Sequence, residues 1–187
     1  MTRAAPATQH TTSSTLEMQD ASLARALLSL EVHRTAQAED RVALRYLDLG
    51  ILDAASDHFS RASVLNRSDA VAYEGLARIW RDWGFPELGL GDAMRAVYYA
   101  PSWPAAHNTV GTLLTALGRT AEARKAYERA LALDPDAAYV LSNLCYVSVL
   151  DGLPDEALAE CRAALALDPD LRAARANALR ARALTQP

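Results

Sequence analysis

Residues 104–137 read PAAHNTVGTLLTALGRTAEARKAYERALALDPDA, and this stretch decides the fold. It begins with a proline, which is favoured in the first turn of a helix, and has Gly118 near its middle and Pro135 near its end. Apolar residues recur at helical spacing on both sides of Gly118. The pattern therefore predicts two amphipathic helices joined by a short glycine turn.

The same pattern returns along the chain at an interval of 34 residues. The turn glycines and the prolines that follow a helix both keep this spacing, as Gly50, Gly84, Gly118 and Gly152, and as Pro101, Pro135 and Pro169. A fixed period of this length is the mark of a repeat protein built from stacked helical hairpins. We therefore divide residues 36–171 into four repeats, 36–69, 70–103, 104–137 and 138–171.

Over residues 36–171 the chain resembles the tetratricopeptide repeat (TPR) proteins. In the third repeat the resemblance is carried by Val110, Gly111, Leu114, Gly118, Ala123, Tyr127, Ala130 and Pro135. It implies an all-α fold, a right-handed solenoid of four helix-turn-helix repeats whose first helices line a concave groove. The resemblance is specific for this fold but not for an activity.

The segments on either side of the repeats predict a tail and two caps. Residues 1–15 are mostly Ala, Pro, Thr, Ser and Gln, a composition typical of a disordered tail. Residues 16–35 and 172–187 predict N-terminal and C-terminal capping helices that cover the open ends of the array. The C-terminal helix carries four arginines, and repeat four has one arginine against six acids. We therefore expect these arginines to face the acidic second helix of repeat four.

Composition and motifs exclude several classes of function. The net charge is −4, which disfavours nucleic acid as a partner. The four histidines show no metal-ligand spacing, and no phosphate loop or nucleophile motif is present, so we predict no enzyme, no metal and no cofactor. The N-terminus lacks the apolar stretch of a secretory signal, and no apolar run is long enough for a membrane span. These features favour a cytoplasmic protein.

Two cysteines, Cys145 and Cys161, occupy positions 8 and 24 of repeat four. In a TPR these positions pack against each other, so the resemblance implies that the two side chains are close neighbours in the interior. We interpret them as reduced, buried fillers. The sequence leaves open whether they are ever oxidised, and a disulfide requires the two Cα atoms to lie within about 7 Å.

The first helices of repeats three and four, residues 104–117 and 138–150, contain no Asp, Glu, Lys or Arg. If these helices line a groove, its Asn, Thr, Ser and Tyr side chains can bind a peptide backbone, and tyrosine is a good contact residue. The predicted contact residues are Arg78, Asn108, Thr112, Tyr139, Asn143 and Tyr146. Alternatively, these positions pack against their neighbours or the chain's own tail.

One TPR subclass clamps a C-terminal carboxylate with Lys, Asn and Arg on successive first helices. Here the positions of the Lys and Arg are Ala105 and Thr109 in repeat three, and Tyr139 and Asn143 in repeat four. A carboxylate clamp is therefore not expected, although Arg78 and Arg81 could meet an acidic group.

The main hypothesis for function is a protein-protein interaction scaffold that holds an extended peptide or a helix of a partner protein in its groove. The alternative is a structural or self-associating component of a larger envelope or secretion assembly, which would use the aromatic surface of Trp83, Tyr99 and Trp103. We expect a monomer or a weak homodimer. The identity of the client stays open.

Overall fold

The computed structural model describes residues 20–185, which form ten α-helices and no strand within that range. The all-α helical repeat fold predicted from the sequence is confirmed. The helices are α1 (Ala21–Val32), α2 (Ala36–Asp48), α3 (Leu52–Leu65), α4 (Ala70–Asp82), α5 (Pro86–Tyr99), α6 (Pro104–Ala116), α7 (Thr120–Leu133), α8 (Ala138–Leu150), α9 (Pro154–Leu167) and α10 (Arg172–Ala183). The predicted tail, residues 1–15, lies outside the described residues, as do residues 16–19 of the N-terminal cap and residues 186–187 of the C-terminal cap.

The chain divides into two compact units, and the boundary falls inside α4, between Gly75 and Leu76. The N-terminal unit contains α1, α2, α3 and the first part of α4. The C-terminal unit contains the rest of α4 and α5 to α10, and it carries five of the six predicted groove residues on α6 and α8, with Arg78 on α4.

Four turns with the same geometry join the two helices of each hairpin. Their glycines, Gly50, Gly84, Gly118 and Gly152, have φ between 70° and 85°, the left-handed region that glycine enters without steric cost. In the third turn the amide of Arg119 donates to the carbonyl of Leu114 at 2.9 Å, closing the end of α6. Equivalent hydrogen bonds close the other three turns. The interval of 34 residues in the sequence is therefore the distance from the end of one first helix to the end of the next.

The N-terminal unit has an apolar core and a buried polar cluster beside it. Val42 and Phe59 are fully buried, with Ala38, Ala55 and Ala62 between the helices. A Cβ atom at Gly75 would lie 2.3 Å from the ring of Phe59, so glycine is needed there. The buried polar cluster contains Glu39, Asp40, His58 and Asp69, and Glu39 contacts His58 Nδ1 through Oε2 at 2.6 Å.

In the C-terminal unit, the two helices of a hairpin are in contact where position 8 of the first helix packs against position 24 of the second. In repeat three the ring of Tyr127, which is 1% exposed, lies against Gly111. A Cβ atom at Gly111 would lie 2.5 Å from this ring. The pair therefore fixes how closely α6 and α7 approach.

We expect Gly111→Ala to lower the free energy of unfolding by about 1–2 kcal/mol, because the added methyl group overpacks a filled interface. Gly91→Ala is the matched control. Gly91 is also inside a helix, but a Cβ atom there meets nothing within 4 Å, so this change should raise stability by about 1 kcal/mol through helix propensity. Urea unfolding of both variants measures the difference, and equal stabilities would contradict the role of Gly111.

The thiol interpretation of Cys145 and Cys161 is wrong in this structure: the two residues form a disulfide between α8 and α9. Their side chains are close neighbours in the interior, as expected, with the Cα atoms 5.3 Å apart and both residues fully buried. The separation lies in the range that a disulfide spans without backbone movement. Between the two helices of repeat three, the ring of Tyr127 packs against Gly111. At the equivalent positions of repeat four, the two helices are joined by the disulfide.

Glu160, an acid of the second helix of repeat four, is bound by an arginine of repeat three. Arg124 of α7 donates to Glu160 at 3.0 Å and to the hydroxyl of Ser148 at 2.8 Å, and Ser148 donates to Glu160 at 2.6 Å. Among the terminal arginines, Arg175 binds Asp170 at 2.9 Å and Arg180 binds a neighbour on its own helix. Among the described residues no ion pair joins an arginine of α10 to an acid of α9, so the expectation that these arginines face α9 is not confirmed.

Candidate functional site

The candidate site is the surface formed by the first helices of the C-terminal unit. α10 packs against α8 and α9, and α8 in turn packs against α6. α10 therefore takes the place of a fifth first helix, in addition to covering the end of the array. Residues 34 apart form a row across these helices: Arg78, Thr112, Tyr146 and Arg180. The surface around this row is called the first-helix surface. Its residues are Arg78, Arg81, Asn108, Thr112, Tyr139, Asn143, Tyr146 and Arg180.

Two of the predicted contact residues are hydrogen-bonded to each other. Asn143 on α8 donates from Nδ2 to Oδ1 of Asn108 on α6 at 2.9 Å, and both side chains are half-buried. This hydrogen bond links repeat three to repeat four and fixes the orientation of both side-chain amides. Each amide keeps further capacity, since the NH₂ group of Asn108 can donate and the oxygen of Asn143 can accept. A donor and an acceptor side by side match the two polar groups of a peptide unit.

Thr112, the next predicted residue, is bound from the preceding first helix. Arg81 of α4 donates to the hydroxyl of Thr112 at 3.3 Å, while its other guanidinium nitrogens bind Asp82 at 2.8 and 2.9 Å. Thr112 donates its own proton to the carbonyl of Thr109 at 2.9 Å. Arg78 is half-buried on the same helix as Arg81. A positive side chain thus borders the first-helix surface on this side.

The two tyrosines are the exposed aromatic residues of this surface. Tyr139 is 41% exposed and Tyr146 is 36% exposed. The guanidinium of Arg180 on α10 lies 5.8 Å from the centre of the Tyr146 ring, a cation–π distance. Arg180 is oriented by Asn177, whose Oδ1 accepts from it at 2.6 Å. Asn177 in turn donates to the carbonyl of Ser142 at 3.0 Å, which holds α10 on α8.

Sequence reasoning missed Arg180 and Asn177 because it treated α10 only as a cap. The period contains the signal: Asn177 follows Asn143 by 34 residues, and Arg180 follows Tyr146 by 34. With Arg180 included, the row has an arginine at each end and uncharged side chains between them. The six predicted residues therefore lie on one continuous set of helices, of which α10 is an additional member.

No group of three or more His, Cys, Asp or Glu residues among residues 20–185 could hold a metal ion. Of the described helices, none combines the length and apolar character that a membrane span requires.

Comparison with known proteins finds one sequence repeat and several related folds. The family model described as tetratricopeptide repeat matches residues 104–137. The Hsp70-Hsp90 organizing protein of Triticum aestivum is 33% identical over 86 residues, which is 46% of this chain. The chain aligns with only 15% of that relative's length.

Solved structures resemble nearly the whole chain. TTC0263, a thermophilic TPR protein of Thermus thermophilus, superposes with a TM-score of 0.76 over 92% of this chain and 95% of its own, at 23% identity. YrrB, a TPR protein described as having an unusual peptide-binding site, superposes with a TM-score of 0.64 over 88% of this chain and 84% of its own, at 23% identity. Residues 104–137 thus match one tetratricopeptide repeat, and the described chain has the fold of the tetratricopeptide repeat proteins that it resembles.

Proposed function

We propose that the first-helix surface of the C-terminal unit binds an extended peptide segment of a partner protein, and that this chain works as an interaction scaffold. The observation that carries the proposal is the Asn108–Asn143 pair, in which a bonded amide pair presents a donor and an acceptor beside an exposed tyrosine. Such a pair can bind a main-chain amide whatever the side chains of the peptide, which suits an extended ligand.

The charges around the pair favour a particular peptide. α6 and α8 carry no charged residue, whereas Arg78 and Arg81 lie on one side of them and Arg180 lies on the other. A guanidinium binds a carboxylate in a two-point contact, so acidic residues near both ends of the bound segment would be favoured. Between them, Tyr139 and Tyr146 supply contact area for apolar side chains. We propose a segment with an uncharged centre and an acidic residue towards each end.

The comparisons support a binding function in general terms. Proteins with tetratricopeptide repeats bind protein partners, the relative from Triticum aestivum is an Hsp70-Hsp90 organizing protein, and YrrB is described as having a peptide-binding site. Those partners belong to those proteins. The choice of surface and of peptide in this chain rests on its own residues.

The test is a double variant, Asn108→Ala with Tyr146→Ala. We expect it to reduce capture of client proteins from the native host at least tenfold, since it removes the amide pair and an exposed aromatic contact. Both residues are partly exposed, so the melting temperature should fall by less than about 4 °C. Quantitative mass spectrometry of captured proteins, followed by titration of peptides from them, gives the measurement.

Glu128→Ala with Arg129→Ala is the matched control, because both residues are exposed on α7, a second helix. This control should capture clients like the wild type. A large loss of stability with unchanged capture in the Asn108 and Tyr146 variant would rule out the first-helix surface as the binding site.

A second candidate function, assembly with further copies or a larger complex, is favoured by a different observation. Trp83 and Trp103 of the aromatic surface suggested by the sequence are half-buried, and Tyr99 is 41% exposed. The larger exposed apolar area lies instead along α5, where Leu88 and Tyr98 are 57% and 79% exposed. Self-association is therefore proposed through α5 rather than through the tryptophans.

A further inference from the structure

One side of α5 is an exposed apolar seam with a glycine at its centre. Leu88 is 57% exposed, Met94 61% and Tyr98 79%. Gly91 lies between them, and a Cβ atom there would meet nothing within 4 Å. Residues three and four apart share one side of a helix. We define the α5 seam as Glu87, Leu88, Gly91, Met94, Arg95 and Tyr98.

The equivalent surfaces of the later repeats are solvated, which makes the α5 seam exceptional within the same chain. The residues 34 positions after Leu88, Gly91 and Met94 are Glu122, Lys125 and Glu128 of α7. Those 68 positions after them are Glu156, Ala159 and Arg162 of α9. The helical fold therefore does not require apolar residues at these positions. Glycine in a helix interior also costs about 1 kcal/mol against alanine, and nothing in contact with Gly91 explains it.

Apart from Tyr98, which lies beyond the matched positions, the seam is complementary to itself when it is reversed. Suppose that two copies of α5 pack antiparallel with their Gly91 residues in contact. A residue that precedes Gly91 by a given number of positions in one copy then faces the residue that follows Gly91 by the same number in the other copy. Glu87 then faces Arg95 of the second copy, and Leu88 faces Met94 of the second copy. Each contact occurs twice, as two-fold symmetry requires. The absence of a side chain at Gly91 lets the two backbones approach closely.

We propose that the α5 seam binds the α5 seam of a second copy of this chain, antiparallel and with the two-fold axis at Gly91. The proposal rests on the self-associating function suggested above, and it names the partner and the geometry. Arg95 contacts Asp92 at 3.2 Å on its own helix, yet its side chain is 63% exposed and can reach Glu87 of the second copy. One helix from each copy buries less area than a standard stable interface, so the dimer is weak.

A single introduced thiol tests the geometry. The two natural cysteines are bonded to each other, so Gly91→Cys adds the one reactive thiol of the chain. On the two-fold axis, this thiol meets its own copy, and we expect a disulfide-linked dimer to form at least tenfold faster than for Lys125→Cys. Lys125 is the matched control, exposed at the equivalent position of α7. Equal cross-linking rates for the two variants would overturn the proposal.

Exchanging charges tests the orientation by sedimentation at high protein concentration. Glu87→Arg alone and Arg95→Glu alone place like charges face to face, and each should remain monomeric. An equimolar mixture of the two should form a heterodimer, because every facing pair again has opposite charges. A mixture that stays monomeric would overturn the antiparallel arrangement.

Two further measurements distinguish a failure of the α5 seam from a failure of self-association itself. If wild type dimerises and Gly91→Lys dimerises equally well, self-association stands and the α5 seam is wrong. If wild type stays monomeric at millimolar concentration, both are wrong. Neither result bears on peptide binding by the first-helix surface, which the Asn108 and Tyr146 variant tests separately.

Discussion

Reduction of the Cys145–Cys161 disulfide is expected to lower the free energy of unfolding by about 3 kcal/mol. The two cysteines are 16 residues apart in sequence, and cross-linking a loop of about that length removes a corresponding amount of entropy from the unfolded chain. Cys145→Ala with Cys161→Ala should destabilise the chain in the same direction. Urea unfolding with and without reductant measures the loss, and the double variant, which has no disulfide, should be insensitive to reductant.

The loss of order should be concentrated in the last three helices. Cys145, Cys161 and Ala181 of α10 belong to one buried cluster, and Sγ of Cys161 lies 3.2 Å from the carbonyl oxygen of Ala174 on α10. Loosening the α8–α9 hairpin therefore also loosens α10, which contributes Arg180 to the first-helix surface. We expect faster amide hydrogen exchange in α8, α9 and α10 after reduction, with α2 and α3 unchanged. Uniform acceleration along the chain would contradict this local effect.

The cytoplasmic localisation stays a prediction, and the redox state of the disulfide offers a way to test it. Disulfides persist in oxidising compartments and are rare in a reducing cytoplasm. Both cysteines are fully buried, so an external thiol should reduce the bond slowly until the hairpin opens. Alkylation in lysate of the native host, after unfolding in urea without reductant so that buried thiols can react, measures the state directly. Two modified cysteines would favour the reduced form and the cytoplasm, and none would favour an oxidising compartment.

The fold could be predicted from the sequence because its repeating elements depend on backbone geometry. Gly118 is needed for a positive φ at the turn, and Gly111 for the space that Tyr127 fills. The turn requirement returns with every hairpin, so it leaves a period in the sequence that no single helix would show. The redox state of Cys145 and Cys161 left no such trace, since two buried thiols and a disulfide satisfy the same packing requirement.

The candidate site was predictable as a set of positions but not as a set of contacts. The period placed Asn108 and Asn143 on neighbouring first helices, but a hydrogen bond between them depends on side-chain torsions that spacing does not determine. Arg124 illustrates the same limit: its partners Ser148 and Glu160 come from two other helices. Ser148 contributes its hydroxyl to this network, which spacing alone does not reveal.

Asp40→Asn is expected to stabilise the protein at pH 8 by on the order of 3 kcal/mol. Asp40 on α2 is 6% exposed, and one of its oxygens, Oδ1, has no hydrogen-bond partner among the described residues. Burial, together with the negative charge of Asp69, raises the pKa of the Asp40 carboxyl from 3.8 to about 7. Asp69 cannot move away, because its Oδ1 accepts from the amides of Val71 and Ala72 and caps α4.

The sign of the pH dependence follows from the direction of this shift. The folded protein holds Asp40 as the neutral acid, whereas the unfolded chain ionises it near pH 3.8. The stability contributed by the neutral acid is therefore fully present below about pH 4 and is lost as the pH rises through about 7. Asparagine resembles the neutral acid in shape and can donate to Asp69 at every pH. The gain from Asp40→Asn should accordingly be large at pH 8 and close to zero at pH 4.

Urea unfolding of wild type and Asp40→Asn between pH 4 and pH 8 makes the comparison. Other groups face the same cluster, namely Glu39 on α2 and His58 on α3, but both proteins contain them, so the difference between the two curves isolates Asp40. Asp57→Asn is the matched control, because Asp57 is an exposed acid on α3 and its removal should shift the curve little. If Asp40→Asn follows the wild-type curve at every pH, the carboxyl is ionised in the folded state. The buried pair of acids would then have to be stabilised by a cation or by a rearranged turn before α4.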